Sequence, residues 1–188
     1  MNIKAILILC VILTAVFLVA CGKNNIEGFQ FHSNNIIPAT VVRVIDGDTI
    51  IADINGERER IRLLLIDTPE TVKPDLEYPE PFGEEATEFA RSIIKQGAVI
   101  GIEIDENERD RYERLLAYIW VGEKLFNELI VREGLARVAF VFPPNTRHLN
   151  RLEEAQREAR ENKRGIWSVD GYVTEFGFDV EAFEEAEQ

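Results

Sequence analysis

The sequence predicts a mainly β domain with a few helices, arranged as a small, partly open barrel of five short strands. Three observations carry this. Two β-rich runs, TVVRVI at 40–45 and TIIADI at 49–54, flank Asp46-Gly47-Asp48, and Asp-Gly between such runs is a tight-turn signal. Ile100, Ile102 and Ile104 alternate with Gly101 and Glu103, the period of a strand with one buried face. Apolar residues at helical spacing occur in only a few windows, most clearly 86–94 and 149–159. Periodicity alone leaves other α+β layouts open.

Taken in order, the first two strands are 40–45 and 49–54. Asn55-Gly56 makes a second turn into a third strand, ERIRLLLI at 59–66, which Asp67-Thr68-Pro69 stops because proline fixes its own φ and restricts its neighbour. Three prolines between 71 and 82 mark a loop. Ala86, Phe89, Ala90, Ile93 and Ile94 then form one helix face, closed by Gly97. The 100–104 strand, a highly charged connection over 105–113 and a fifth strand, LLAYIWV at 115–121, follow. Leu125, Leu129 and Ile130 indicate a short helix ending before Gly134, and an apolar segment, LARVAFVF at 135–142, is stopped by Pro143-Pro144. The last helix spans 150–162, with Arg and Glu at four-residue spacings supporting its wet face. Gly165-Ile166-Trp167 is expected to fold back onto the core.

The ends read differently. Residues 5–20 carry no charge and follow a single Lys4; sixteen apolar residues are short for a spanning helix, which needs about 20, and fit an export signal. Leu18-Val19-Ala20-Cys21 resembles the bacterial lipoprotein box, which implies lipidation at Cys21, a membrane anchor and a domain facing outside the cytoplasm; an uncleaved anchor and an ordinary secretory signal are the alternatives. Residues 21–38 are then a tether, 39–168 the folded domain, and 169–188 a mobile acidic tail, or a docked one that covers apolar surface. Between 168 and 188 there are seven acidic residues and no lysine or arginine.

The chain has 188 residues, 21 Lys plus Arg against 34 Asp plus Glu, and 46% hydrophobic residues. That suffices for one core and excludes a disordered chain. Two cysteines, Cys10 and Cys21, exclude a disulfide scaffold, and both lie in the targeting segment, so thiol chemistry is excluded from the mature domain as well. A net charge of -13 excludes gripping nucleic acid by bulk positive charge, but not meeting phosphate through a few focused arginines. Nothing in the sequence indicates an oligomer, and a monomer is the default.

Three groups of residues could do chemistry. Asp48 and Asp67 stand at strand ends, and on neighbouring strands their carboxylates could share a hard cation such as Ca²⁺ or Mg²⁺; equally, Asp-Gly-Asp could simply make a turn and Asp67 cap a loop. Arg62 precedes the apolar run 63–66, and Arg114 starts the fifth strand. A charge among core residues must be paired or aimed at a ligand, and a guanidinium fork suits phosphate, although strand-end salt bridges would also account for both. Glu70, directly after Thr68-Pro69, could orient or deprotonate a water or be plain surface. Neither His32 nor His148 has a companion that makes a triad or a metal cluster.

The runs Ile45-Asp46-Gly47-Asp48-Thr49, Arg62-Leu63-Leu64-Leu65-Ile66-Asp67-Thr68-Pro69-Glu70 and Asp110-Arg111-Tyr112-Glu113-Arg114 together resemble the thermonuclease (staphylococcal nuclease-like) family. So do Leu115-Ala117-Tyr118, Asn127-Leu129-Val131-Gly134-Leu135-Ala136 and Ile166-Trp167-Ser168, so that the resemblance runs from about Thr40 to Ser168. It implies a five-stranded OB-fold barrel with three helices and calcium-dependent cleavage of DNA and RNA to 3′-phosphate ends. By the same resemblance, Asp48, Asp67 and the Thr68 carbonyl are Ca²⁺ ligands, with Asp46 an acid close behind them. Arg62 and Arg114 meet the phosphate, Glu70 is the general base, and Arg111 and Tyr112 help bind substrate. A noncatalytic OB-fold module at the cell envelope, binding nucleic acid or protein, is the alternative.

Three departures matter. Glu113 stands where the family often has glycine, and on a strand its side chain would point away from that of Arg114. Phe140 and Phe142 occupy the places of two tyrosines that flank the substrate pocket in the best-known member, which keeps base stacking and loses two hydroxyls. The loop before the first helix carries Asp75, Glu77 and Glu80 in place of lysines, which implies weaker long-range steering and a raised KM.

Overall fold

The computed structural model describes residues 36–71 and 79–186. The expected signal segment, Cys21, most of the tether, and Asp75 and Glu77 lie outside these residues. Strands β1 (Ile36–Val44), β2 (Thr49–Ile54) and β3 (Glu57–Leu63) form an antiparallel meander joined by the 45–48 and 55–56 turns. β5 (Val99–Arg109) pairs with β1, and β6 (Leu115–Val121) pairs with β5. A parallel pairing of β3 with β6 then closes five strands into a mixed barrel. The barrel is therefore closed, where the strand pattern predicted a partly open one. Its interior is apolar, with Ile50, Ile61, Leu63, Ile100, Ile102, Ala117 and Ile119 all buried.

Helices α1 (Gly83–Ile93), α2 (Phe126–Arg132) and α3 (Leu149–Glu161) are three of the four among the described residues. They turn Ala86 and Ala90, Phe126 and Ile130, and Leu152 and Ala155 inward, the spacing that puts one apolar stripe on each. A two-residue strand β7 (Lys124–Leu125) turns back to pair antiparallel with the end of β6 before α2.

Five expectations are corrected. Residues 36–38, expected in the tether, are strand, because Ile36, Ile37 and Pro38 pair with Glu103, Ile102 and Gly101 of β5. The third strand does not run through to Ile66. It ends at Leu63, and Leu65 at φ 62 turns the chain into the separate two-residue strand β4 (Ile66–Asp67). The charged connection after Ile104 is largely strand, since β5 continues to Arg109. Glu103, expected on the wet face, is buried, because the start of α3 covers that face of the sheet. Its carboxylate accepts from Trp120 Nε1 (2.6 Å) and Arg147 Nη1 (2.9 Å) and contacts His148 Nε2 (2.9 Å). Asp105 alongside accepts from the Arg147 N–H and from the Tyr118 hydroxyl.

The fifth correction concerns the acidic tail, which is docked and holds the fourth helix, α4 (Val180–Ala186). Tyr172 is fully buried and its hydroxyl donates to the Pro81 carbonyl at 2.5 Å. Its ring packs with Phe82, Phe178 and Phe183 at centroid distances of 5.5–5.7 Å. An aromatic cluster of this kind outweighs the tail's charge, which stays on the outer side.

Candidate active site

The site is built on the β1–β2 turn and the end of β3. In the turn, the Asp46 carboxylate accepts from the Asp48 N–H at 3.1 Å, and the Ile45 N–H donates to the Thr49 carbonyl at 2.9 Å. A Cβ at Gly47 would stand 2.7 Å from Thr68 Cγ2, so only glycine lets the turn close against Thr68. Asp48 is thereby pinned: Oδ2 accepts from the Thr68 N–H (3.0 Å) and hydroxyl (3.2 Å), and Oδ1 from the Thr49 hydroxyl (3.0 Å). Burial pushes the Asp46 carboxyl above its ordinary value, against Arg62 and hydrogen bonds from Thr49.

Arg62 stands opposite Thr49 in the β2–β3 ladder. The left-handed Leu65 bends the following chain back, so that Arg62 Nη2 donates to the Ile66 carbonyl (3.1 Å) and to Asp67 Oδ1 (3.3 Å). Nη1 is buried in ionic contact with Asp48 Oδ1. One guanidinium thus joins the two carboxylates. Burial lowers the Arg62 pKa, and the Asp67 carboxylate is the strongest of the charges that hold it up. Arg114 also acts on it, as a like charge.

Asn127, fully buried in α2, holds this bend in place. Its Nδ2 donates to the Leu64 carbonyl and its Oδ1 accepts from the Ile119 N–H, both at 3.0 Å. Asn127→Ala would orphan both groups, at about 1–3 kcal/mol each, and release the Leu64-Leu65 bend. Urea denaturation should show that loss; a change below ~1 kcal/mol would mean the bend holds itself.

The remaining expected residues surround this cluster. Glu70 is half-buried; its N–H donates to Glu80 Oε2 (2.8 Å) and its carbonyl accepts from the Glu80 N–H (2.9 Å). Glu80 is therefore a brace on the Glu70 backbone rather than only a loop charge. Arg114 is anchored by Asp110, with Nε 2.7 Å from Oδ2 and its backbone N–H bonded to Oδ1. Tyr112 is 64% exposed, with the guanidinium of Arg111 over its ring at 4.7 Å and that of Arg114 at 5.7 Å. Phe140 sits against the Arg62 guanidinium at 5.4 Å, and Phe142 is 70% exposed.

Glu113 is not on a strand, so alternation does not govern it. It occupies the left-handed region at φ 61 in the turn before β6, exposed, with its carbonyl accepting from Arg109. That backbone conformation is the physical reason glycine suits this place.

One residue of the site escaped the sequence. Arg137, in the two-residue strand β8 (Arg137–Val138), stands directly opposite Asp67 in the β4–β8 ladder. Its Nε and Nη2 both lie 3.0 Å from Asp67 Oδ2. The signal was present: a lone charge inside the apolar run 135–142 is the same anomaly as Arg62 beside 63–66.

Oxygen-only donors on two carboxylates suit a hard cation. Among the described residues, no set of three or more His, Cys, Asp or Glu side chains forms a metal cage, so any cation would need main-chain carbonyl, water or substrate oxygens as well.

The chain was compared with known proteins. Residues 60–169 match the family model described as Staphylococcal nuclease homologue. Thermonuclease of Staphylococcus hyicus is 46% identical over 128 residues, 68% of this chain and 74% of that protein. Endonuclease YncB of Bacillus subtilis is 42% identical over 152 residues, 79% of this chain and 71% of that protein. The SPbeta prophage-derived endonuclease YokF of the same organism is 42% identical over 145 residues, 77% of this chain and 48% of that protein. The residues matched by the family model include Arg62, Asp67 and Arg114, and the chain belongs to the staphylococcal nuclease family.

Proposed function

We propose that this chain is a calcium-dependent nuclease that hydrolyses phosphodiesters of DNA and RNA and leaves 3′-phosphate ends. The observation that carries the proposal is the joining of Asp48 and Asp67 by one largely buried guanidinium. This is a cation-ready pair of carboxylates beside a donor suited to phosphate. The relatives named thermonuclease and endonuclease support the same chemistry.

Asp48, Asp67 and the Thr68 carbonyl would hold Ca²⁺, which when bound supplies polarisation of a phosphate oxygen and a place for the attacking water. Glu70, its backbone held by Glu80, accepts the proton from that water. The water oxygen bonds to phosphorus as the bond to the 5′-oxygen breaks, so phosphate stays on the 3′ side. Arg62 and Arg114, on the neighbouring strand and its lead-in, stabilise the charge that grows on the equatorial oxygens. Tyr112 and Arg111 contact the terminal phosphate, and Phe140 and Phe142 stack on bases, each contact worth roughly 1–3 kcal/mol. A scissile phosphate that must reach this recessed cluster favours single-stranded or flexible substrate.

The enzyme acts as a monomer, exported by residues 1–20 and anchored through lipid on Cys21; the motif in the sequence supports this part of the proposal.

The test is cleavage of heat-denatured DNA by the Cys21→Ser protein across a calcium titration, with a chelator arm and an Asp48→Ala control. Calcium-dependent release of 3′-phosphorylated fragments, lost in Asp48→Ala, is the expected result. No cleavage at any calcium level, from protein shown to be folded, would leave a noncatalytic binding module as the better account.

A further inference from the structure

The acidic tail reaches the site through one side chain. Arg137 is buried, and all three of its guanidinium nitrogens are engaged. Nε and Nη2 hold Asp67 Oδ2, while Nη1 donates to the carbonyls of Thr174 and Glu175, both at 3.2 Å. The ring of Phe178 lies against the same guanidinium at 5.7 Å. Two main-chain carbonyls of the tail therefore set where this fork points. Both of its contacts with Asp67 fall on Oδ2, which leaves Oδ1 as the oxygen beside Arg62, whose other terminal nitrogen contacts Asp48.

A carboxylate has two oxygens and about four acceptor directions. Occupying one oxygen twice restricts rotation about the Cβ–Cγ bond and presents the other oxygen in a single direction. The β4–β8 ladder supplies the register by placing Arg137 across from Asp67, but a two-residue ladder cannot hold a long side chain by itself. The tail supplies the missing restraint, and the Tyr172, Phe178 and Phe183 rings fasten it to Phe82 ahead of α1.

We propose that Arg137 is a positioning residue that orients Asp67 for cation binding, and that residues 172–178 belong to the functional site as the clamp on Arg137. This rests on the assignment of Asp67 as a calcium ligand. Partners of this kind, one bond behind a metal ligand, typically change metal affinity by about 10–100-fold.

The test is calcium binding to the full chain by titration calorimetry, with circular dichroism to show folding. Arg137→Met should weaken binding about 10–100-fold. Arg137→Lys, which can reach the carboxylate but cannot also span two carbonyls, should fall between Arg137→Met and the native chain. Phe178→Ala should weaken binding in the native background and add little in the Arg137→Met background, the non-additivity expected when one residue acts through another.

Unchanged affinity in Arg137→Met, whatever its melting temperature, would reduce Arg137 to a structural ion pair and overturn the proposal. Tighter binding would mean that Arg137 competes with the cation, and overturns it equally. Additive effects of Phe178→Ala and Arg137→Met would remove the tail from the site. If the native chain binds no calcium, and so matches an Asp48→Ala control, the calcium assignment itself fails and takes this proposal with it.

Discussion

Replacing Arg62 by alanine is expected to lower kcat by about 10³–10⁵-fold, the range for arginines that meet charge developing on a transferring phosphoryl group. The size follows from placement. Among the described residues, the largely buried Arg62 guanidinium makes ionic contacts with both Asp48 and Asp67. A donor of this kind does most for a transition state that places new negative charge against it. The loss should therefore appear in kcat and in kcat/KM alike. Arg62→Lys should recover little, because an ammonium keeps the charge without the fork. Steady-state rates on denatured DNA decide the matter, and a loss of less than about tenfold would remove Arg62 from the chemistry. Alanine also leaves two facing carboxylates without their shared cation, so a fall in thermal stability should accompany the loss of rate.

The second large effect concerns stability. Glu103 is buried among Trp120, Arg147 and His148, with Asp105 and the Tyr118 hydroxyl beside them. Removing one member of a buried ionic group strands the rest, at about 3–5 kcal/mol, and Glu103→Ala should lose on that order in urea denaturation at neutral pH. Burial by itself would raise the Glu103 pKa. The hydrogen bonds from His148, Arg147 and Trp120 outweigh it and hold the carboxyl below its ordinary value.

The sign of the pH dependence follows. A carboxylate with a depressed folded pKa contributes its full stability above its unfolded pKa, and loses it as pH falls through the folded value. Glu103→Gln cannot titrate, so the gap between the native chain and this variant should narrow as pH is lowered from about 7 to about 3. A gap constant across that range would mean the network contributes nothing to acid stability.

The features legible in the residue order are local ones. The Asp46-Gly47-Asp48 turn, the alternation of Ile100, Ile102 and Ile104, and the helical stripes of α1 and α3 are all set by backbone sterics and by burial at a fixed period. These act over a few residues and are readable from them. The same holds for Asp48, Arg62 and Asp67 as candidates, since a charge beside an apolar run is anomalous whatever surrounds it.

What those residues meet is set by long-range packing. The left-handed Leu65 beyond β3 follows Leu64, whose carbonyl is held by Asn127, 63 residues away along the chain, and no local pattern requires leucine to turn there. Glu103 reads as a wet-face residue until the start of α3 lies over it. The tail reads as mobile because its charge is visible in sequence, while the packing of Tyr172 and Phe183 on Phe82 is not. Arg137 becomes part of the site through a two-residue ladder and two tail carbonyls, which is a matter of register and docking. Local preference ranks the conformations of a segment, whereas contacts between distant segments are set by which apolar and ionic surfaces can be buried together, and that is settled only when the whole chain closes.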